Sequence, residues 1–136
     1  MQPALYIHIP FCEQRCHYCA FTVAVSPENT FEPYVDRLVR EIELSGFDAE
    51  PQTIYFCGGT PSILDASLLG RILGRLGRLP EEVSVEVNPG TLSDAKLQGY
   101  RDLGITRISL GAQSLEDEDL ARAGRLHKAS NVYDDF

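Results

Sequence analysis

The sequence predicts an α/β protein with parallel strands, built as a partial (β/α) barrel. Strand-like and helix-like segments alternate four times along the 136 residues, which favours parallel strands joined by right-handed crossovers. Several strands have one apolar and one polar side-chain face. A doubly wound sheet is covered by helices on both faces and is usually apolar on both. Both folds fit the order of elements, and we interpret the polar face as a barrel lumen.

Four short runs of aliphatic and β-branched residues predict the strands, and each run is closed by turn residues. In the third run, Val83, Val85 and Val87 share one face, while Ser84 and Glu86 share the other. The same alternation recurs in the first and fourth runs. The predicted strands are Ala4–Ile9, Thr53–Cys57, Val83–Val87 and Thr106–Leu110.

Apolar residues recur at helical spacing between these strands, most regularly from Phe31 to Ile42 and from Leu68 to Leu76. Four βα units are too few to close an eight-stranded barrel. We therefore expect residues 1–136 to be the N-terminal portion of a longer core domain, with no C-terminal domain. The capping signals predict helix starts at Asn29 with Glu32, at Ser93, and at Ser114 with Asp117.

The composition argues against several classes of function. The formal net charge is -8 and no block of basic residues is present, so we expect no nucleic-acid partner. No run of about 18 consecutive apolar residues occurs, which predicts no transmembrane segment. The first ten residues have neither a basic region nor a small-residue cleavage site. That pattern predicts a cytoplasmic protein whose thiols stay reduced.

Three of the four cysteines lie close together, just after the first predicted strand. Cys12, Cys16 and Cys19 have the spacing C-x3-C-x2-C, and thiolates are the usual ligands of cubane iron–sulfur clusters. Three thiolates leave one iron without a protein ligand, and an open coordination position is typical of catalytic metals. Two alternatives stay open: a zinc site that adds His17, and a cluster that takes Cys57 as its fourth ligand.

This loop resembles that of the radical S-adenosylmethionine (SAM) family, in which an aromatic residue, here Tyr18, precedes the last cysteine. The segment from Tyr6 to Cys12 is similar to the branch that contains oxygen-independent coproporphyrinogen III oxidase and the haem chaperone HemW. The oxidase type has a further cysteine two residues after the third, where this chain has Phe21, as the chaperone type does. Cys57 departs from the family, which more often has glycine there. The supporting segments are Gly58–Ser62, Glu86–Thr91, Arg107–Ser114 and Gly124–His127.

The resemblance implies a 4Fe-4S cluster on the three cysteines and SAM at the open iron, where reduction releases a 5′-deoxyadenosyl radical. It implies haem or a porphyrinogen as a partner, and an electron donor such as flavodoxin or ferredoxin. From it we expect a haem chaperone, with the oxidase or an inactive fragment as alternatives. The residues that it assigns to SAM binding are Tyr6, Tyr18, Gly58, Gly59, Thr60, Glu86, Gln113 and Arg125.

Some of these residues also have a simpler explanation. Glu86 lies on the predicted polar face, and a buried carboxylate needs a partner, which could be Arg107 instead of a ligand. Arg125 could be an exposed residue of a helix. Gly58 and Gly59 could form an ordinary tight turn.

Overall fold

The computed structural model describes residues 3–47 and 50–136. Four parallel strands form one sheet in the order β1-β2-β3-β4, so each strand pairs with its neighbours in the sequence. The predicted α/β class and the parallel strands are confirmed, and each strand ends within one residue of its predicted bounds. The strands are β1 Ala4–Ile9, β2 Thr53–Gly58, β3 Glu82–Val87 and β4 Arg107–Leu110.

The helices of the described ranges include the three crossovers that join consecutive parallel strands. None of these helices is long and apolar enough to cross a membrane. Met1 and Gln2, which belong to the segment inspected for a signal peptide, lie outside the described residues. The helices are α1 Phe31–Ser45, α2 Ala66–Leu73, α3 Asp94–Asp102, α4 Asp117–Arg122 and α5 Ala129–Asp135.

One predicted helix start is confirmed and two are wrong. The hydroxyl of Ser93 accepts a hydrogen bond from the backbone N–H of Lys96, 3.2 Å away, and thereby caps α3. Asn29 lies in a 3-10 turn, and α1 begins after Thr30 without a side-chain cap. The hydroxyl of Ser114 instead accepts from the N–H of Glu116, 3.1 Å away, and α4 begins only after Glu116.

The apolar face of the sheet packs against α1, α2 and α3. Ile54 and Phe56 of β2 and Val85 of β3 are fully buried there, and Val35 and Leu69 bring α1 and α2 onto them. Removing this apolar surface from water is the main driving force for the fold, at about 25 cal/mol per Å². This packing fixes which side chains point to the opposite face.

The opposite face of the sheet is polar, as the alternation predicts. The strand register aligns Tyr6, Tyr55, Ser84 and Arg107 in one row across the sheet. The sheet is not closed: over the described residues, β1 pairs only with β2, and β4 pairs only with β3. The structure therefore has the open sheet of a partial barrel, and its polar face lies beside the loops that follow the strands.

Candidate functional site

The loops that follow the four strands lie at one edge of the sheet, because parallel strands end on the same side. The cysteine loop follows β1, and the turn that begins at Gly59 follows β2. Asn88 comes directly after β3, and Gly111 directly after β4. The predicted site residues therefore come from separate parts of the chain to the edge where (β/α) barrels carry their active sites.

The cysteine loop is fastened at its base and again at its middle. The backbone N–H of Cys12 donates to the carbonyl of Ala24 at 3.0 Å, and the N–H of Ala24 donates to Pro10 at 2.8 Å. Further along, the N–H of His17 donates to the carbonyl of Ala123 at 3.0 Å. The Nδ1 atom of His17 lies 2.9 Å from the carbonyl oxygen of Arg122. These contacts hold the loop against the end of α4.

The Gly58-Gly59-Thr60 turn lies directly against the start of the cysteine loop. The N–H of Gly59 donates to the carbonyl of Ile9 at 2.8 Å, and the N–H of Thr60 donates to Phe11 at 2.7 Å. Gly58 has a φ of 115°, and its Cα faces the imidazole of His8 at a distance too short for a Cβ. A Cβ on Gly59 would lie 2.6 Å from the carbonyl oxygen of Phe11, so glycine is required there because the two backbones approach so closely.

Two of the three thiols of the loop accept hydrogen bonds from residues of other loops. The hydroxyl of Thr60 donates to Sγ of Cys12, and Nη1 of Arg125 donates to Sγ of Cys16, both at 3.5 Å. Burial raises the pKa of the Cys12 thiol, whereas the Thr60 hydroxyl lowers it. All three thiols are free and half-buried. Donors to sulfur stabilise the thiolate form that binds iron, so the residues present fit an iron–sulfur cluster.

The structure bears on the two alternative ligands, His17 and Cys57. Over the described residues, no three His, Cys, Asp or Glu side chains are grouped to hold one metal ion. A cubane sets a different requirement, because each thiolate binds its own iron. His17 is engaged with the backbone of Arg122. Cys57 is buried on the sheet. Burial and then Glu86 raise the pKa of its thiol, whereas Tyr6 lowers it. Within the described ranges no ligand group supports the zinc site, and Cys57 lies on β2 and not in the cysteine loop.

Arg125 joins three of the loops. Its Nη2 atom donates to Oδ1 of Asn88 at 2.9 Å and to the carbonyl of Gly111 at 3.0 Å. The Nδ2 atom of Asn88 in turn donates to Oγ1 of Thr60 at 2.9 Å. Arg125 is half-buried and follows α4, so its interpretation as an exposed helical residue is wrong. Asn88 was not predicted as a site residue; its amide side chain at a strand end is the sequence signal.

Glu86 lies on the polar face and belongs to a second group of residues. The hydroxyl of Tyr55 donates to Oε1 of Glu86 at 2.7 Å. Arg107 instead contacts Glu82, at 3.3 Å, so the predicted alternative pair between Arg107 and Glu86 is wrong. Within the part of the chain that the structure describes, Glu86 takes part in no salt bridge. Its carboxylate is therefore held by a neutral donor.

The other predicted SAM contacts differ in their surroundings. Tyr6 is 53% exposed on the polar face, and its hydroxyl lies 2.9 Å from Nδ1 of His8. Tyr18 is 55% exposed in the cysteine loop, where burial raises its pKa and the nearby Arg125 lowers it. Gln113 is exposed and has a φ of 64°. That left-handed conformation is uncommon for a residue other than glycine.

Comparisons with known proteins agree with this geometry. Residues 6–134 match the model of the Radical SAM superfamily. The heme chaperone HemW of Synechocystis sp. is 43% identical over 97% of this chain, and HemW of Escherichia coli is 39% identical over 91%. The structure of coproporphyrinogen III oxidase (HemN) from Escherichia coli, a radical SAM enzyme, matches 98% of the chain with a TM-score of 0.86 and 25% identity.

The chain spans about a third of the length of these relatives, since it covers 35% of each chaperone and 33% of the oxidase. The match to the family model includes most of β1, the other three strands, the cysteine loop and Arg125. The chain belongs to the radical SAM superfamily.

Proposed function

We propose that this chain binds a 4Fe-4S cluster through Cys12, Cys16 and Cys19, with SAM at the open iron. In this proposal, residues 1–136 are the N-terminal portion of a radical SAM core domain. The observation that supports it most strongly is that three free thiols share one loop, and that Thr60 and Arg125 donate to two of them. When bound, the cluster would supply one electron for cleavage of a carbon–sulfur bond in SAM.

The residues around the loop have separate tasks in this proposal. Gly58 and Gly59 allow the backbone to approach the amino-acid part of SAM. Glu86 accepts from its ammonium group, because a carboxylate without a salt bridge favours a cationic ligand. Arg125 provides positive charge for the SAM carboxylate. Tyr6, Tyr18 and Gln113 complete the SAM site.

We further infer a role in binding haem and delivering it to haem proteins in the cytoplasm, with flavodoxin or ferredoxin as electron donor. The similarity to two HemW chaperones supports this role. Phe21 stands where the oxidase type has a cysteine, and its side chain is 60% exposed. Tyr18 in the same loop is 55% exposed, and exposed aromatic side chains suit a flat apolar macrocycle. The structural match to HemN keeps coproporphyrinogen III oxidation as the second candidate.

A haem titration of the anaerobically reconstituted protein tests this role. We expect haem to bind, and Phe21→Ser to weaken the binding about tenfold, because an aromatic contact is lost. Leu44→Ser is the matched control: Leu44 is 70% exposed on α1 and should leave haem affinity unchanged.

A product analysis distinguishes the oxidase from the chaperone and from an inactive fragment. SAM, a reductant and coproporphyrinogen III are supplied to the same protein, and the products are analysed. Release of 5′-deoxyadenosine together with decarboxylation of the tetrapyrrole would favour the oxidase over the chaperone. Absence of both haem binding and SAM cleavage would support the inactive fragment.

A further inference from the structure

Tyr55 and Glu86 project from neighbouring strands onto the polar face of the sheet. Tyr55 pairs with Ser84 in the register of β2 and β3, and Glu86 follows Ser84 on the same face of β3. The Tyr55 hydroxyl reaches diagonally from β2 to β3 and donates to Oε1 of Glu86 at 2.7 Å. A hydrogen bond from O–H to a carboxylate at this distance is short and charge-assisted. The hydrogen bond restricts the last side-chain torsion of Glu86, χ3, which is otherwise broadly distributed in glutamate.

The surroundings of Tyr55 keep its hydroxyl a donor. Burial, and then Glu86, raise the pKa of Tyr55 to about 12, so its proton is retained throughout the physiological range. The hydroxyl of Ser109 on β4 acts in the opposite direction and lowers the pKa of Tyr55. Cys57 lies on the same face, and burial followed by Glu86 raises the pKa of its thiol. Tyr55 and Cys57, which interact with the Glu86 carboxylate on this face, are therefore neutral.

The Tyr55 hydroxyl orients the Glu86 carboxylate, but among the described residues no salt bridge balances its negative charge. Arg107, the cation in the row next to it, contacts Glu82 instead. We propose that Tyr55 is a positioning residue, which orients the Glu86 carboxylate toward the ammonium group of SAM. This inference rests on the proposed function, because it takes SAM to be the ligand. Tyr55 was not among the residues that the sequence suggested for the site.

The test compares SAM with a ligand that lacks its amino-acid part and its sulfonium charge. SAM carries the amino-acid part, whereas 5′-methylthioadenosine has the same nucleoside but neither ammonium nor carboxylate. Affinities are measured with the anaerobically reconstituted chain and its Tyr55→Phe variant. We expect Tyr55→Phe to weaken SAM binding roughly tenfold, the size of one hydrogen bond to a charged group. Binding of 5′-methylthioadenosine should stay unchanged.

Tyr100→Phe is the matched control. Tyr100 is buried in α3, and among the described residues its hydroxyl has no hydrogen-bond partner. The control removes the same atom outside the site, and we expect it to leave both affinities unchanged. An equal loss for both ligands in Tyr55→Phe would indicate a merely structural role and would overturn the inference.

A double-mutant cycle tests whether Tyr55 acts through Glu86. In the Glu86→Gln background, we expect Tyr55→Phe to cause little further loss of SAM affinity. Independent, additive losses would overturn the inference. If Tyr55→Phe bound SAM with wild-type affinity, this inference would be overturned, whereas the proposed function would stand. Failure of the reconstituted wild-type chain to bind SAM would overturn the proposed function together with it.

Discussion

Replacing Cys16 with alanine is expected to abolish the iron–sulfur cluster. A cubane with three protein ligands needs each thiolate, because each holds a different iron. The variant also leaves Nη1 of Arg125 without its sulfur acceptor. After anaerobic reconstitution, iron should fall from about four atoms per chain to nearly none. Iron and sulfide analysis, together with the visible absorption of the cluster, measures this loss.

Cys57→Ala is the matched control for that experiment. Cys57 lies on the polar face of β2, in the environment of Glu86 and Tyr6, and not in the cysteine loop. We expect Cys57→Ala to keep the full iron content. The assignment of ligands would be wrong if Cys57→Ala lost the cluster while Cys16→Ala retained it.

Gly59→Ala is expected to separate two loops that the site needs in contact. A Cβ on Gly59 would lie 2.6 Å from the carbonyl oxygen of Phe11 and 2.8 Å from the carbonyl carbon and oxygen of Pro10. These are backbone atoms, so no side-chain rotation relieves the overlap. The displaced segment leads directly into Cys12. We expect a loss of about 2–3 kcal/mol in the free energy of unfolding, together with loss of most of the iron.

Denaturant unfolding and iron analysis of the same preparation test both effects. Gly46→Ala is the control, because Gly46 follows α1 and a Cβ there would have no atom within 4 Å. Its φ of 63° makes alanine strained by about 1 kcal/mol, but the cluster should remain. Wild-type stability and iron content in Gly59→Ala would contradict the close packing of the two loops.

Local sequence patterns predicted much of the fold. Pro10 follows β1 directly, and alternation along Leu5 to Ile9 separates the buried from the polar side chains, so this strand was predicted residue by residue. The helix α5 was missed because Lys128 is not a capping residue type. Its start depends on the side chain of Asn131, which accepts from the Lys128 backbone N–H at 2.9 Å. A signal of that kind is visible only when the backbone is in place.

The site was predictable where its chemistry is local in sequence. Cys12, Cys16 and Cys19 lie within one loop, and their spacing alone indicated a metal. The contacts of Arg125 could not be predicted in this way. Arg125 donates to Cys16 and to Asn88, and these residues meet only because parallel strands bring their loops to one edge of the sheet. Side-chain alternation predicted the sheet face on which Glu86 lies. It could not predict that the Tyr55 hydroxyl on the neighbouring strand contacts the Glu86 carboxylate.

The most direct test is electron paramagnetic resonance of the reduced, reconstituted chain, recorded before and after SAM labelled with ¹⁵N at its amine is added. Three thiolate ligands and one iron with an open coordination position predict a signal from a single cubane. Addition of SAM should change the spectrum and show coupling to the labelled nitrogen. A reduced chain without a cubane signal, or a signal that SAM leaves unchanged and uncoupled to the labelled nitrogen, would contradict this account.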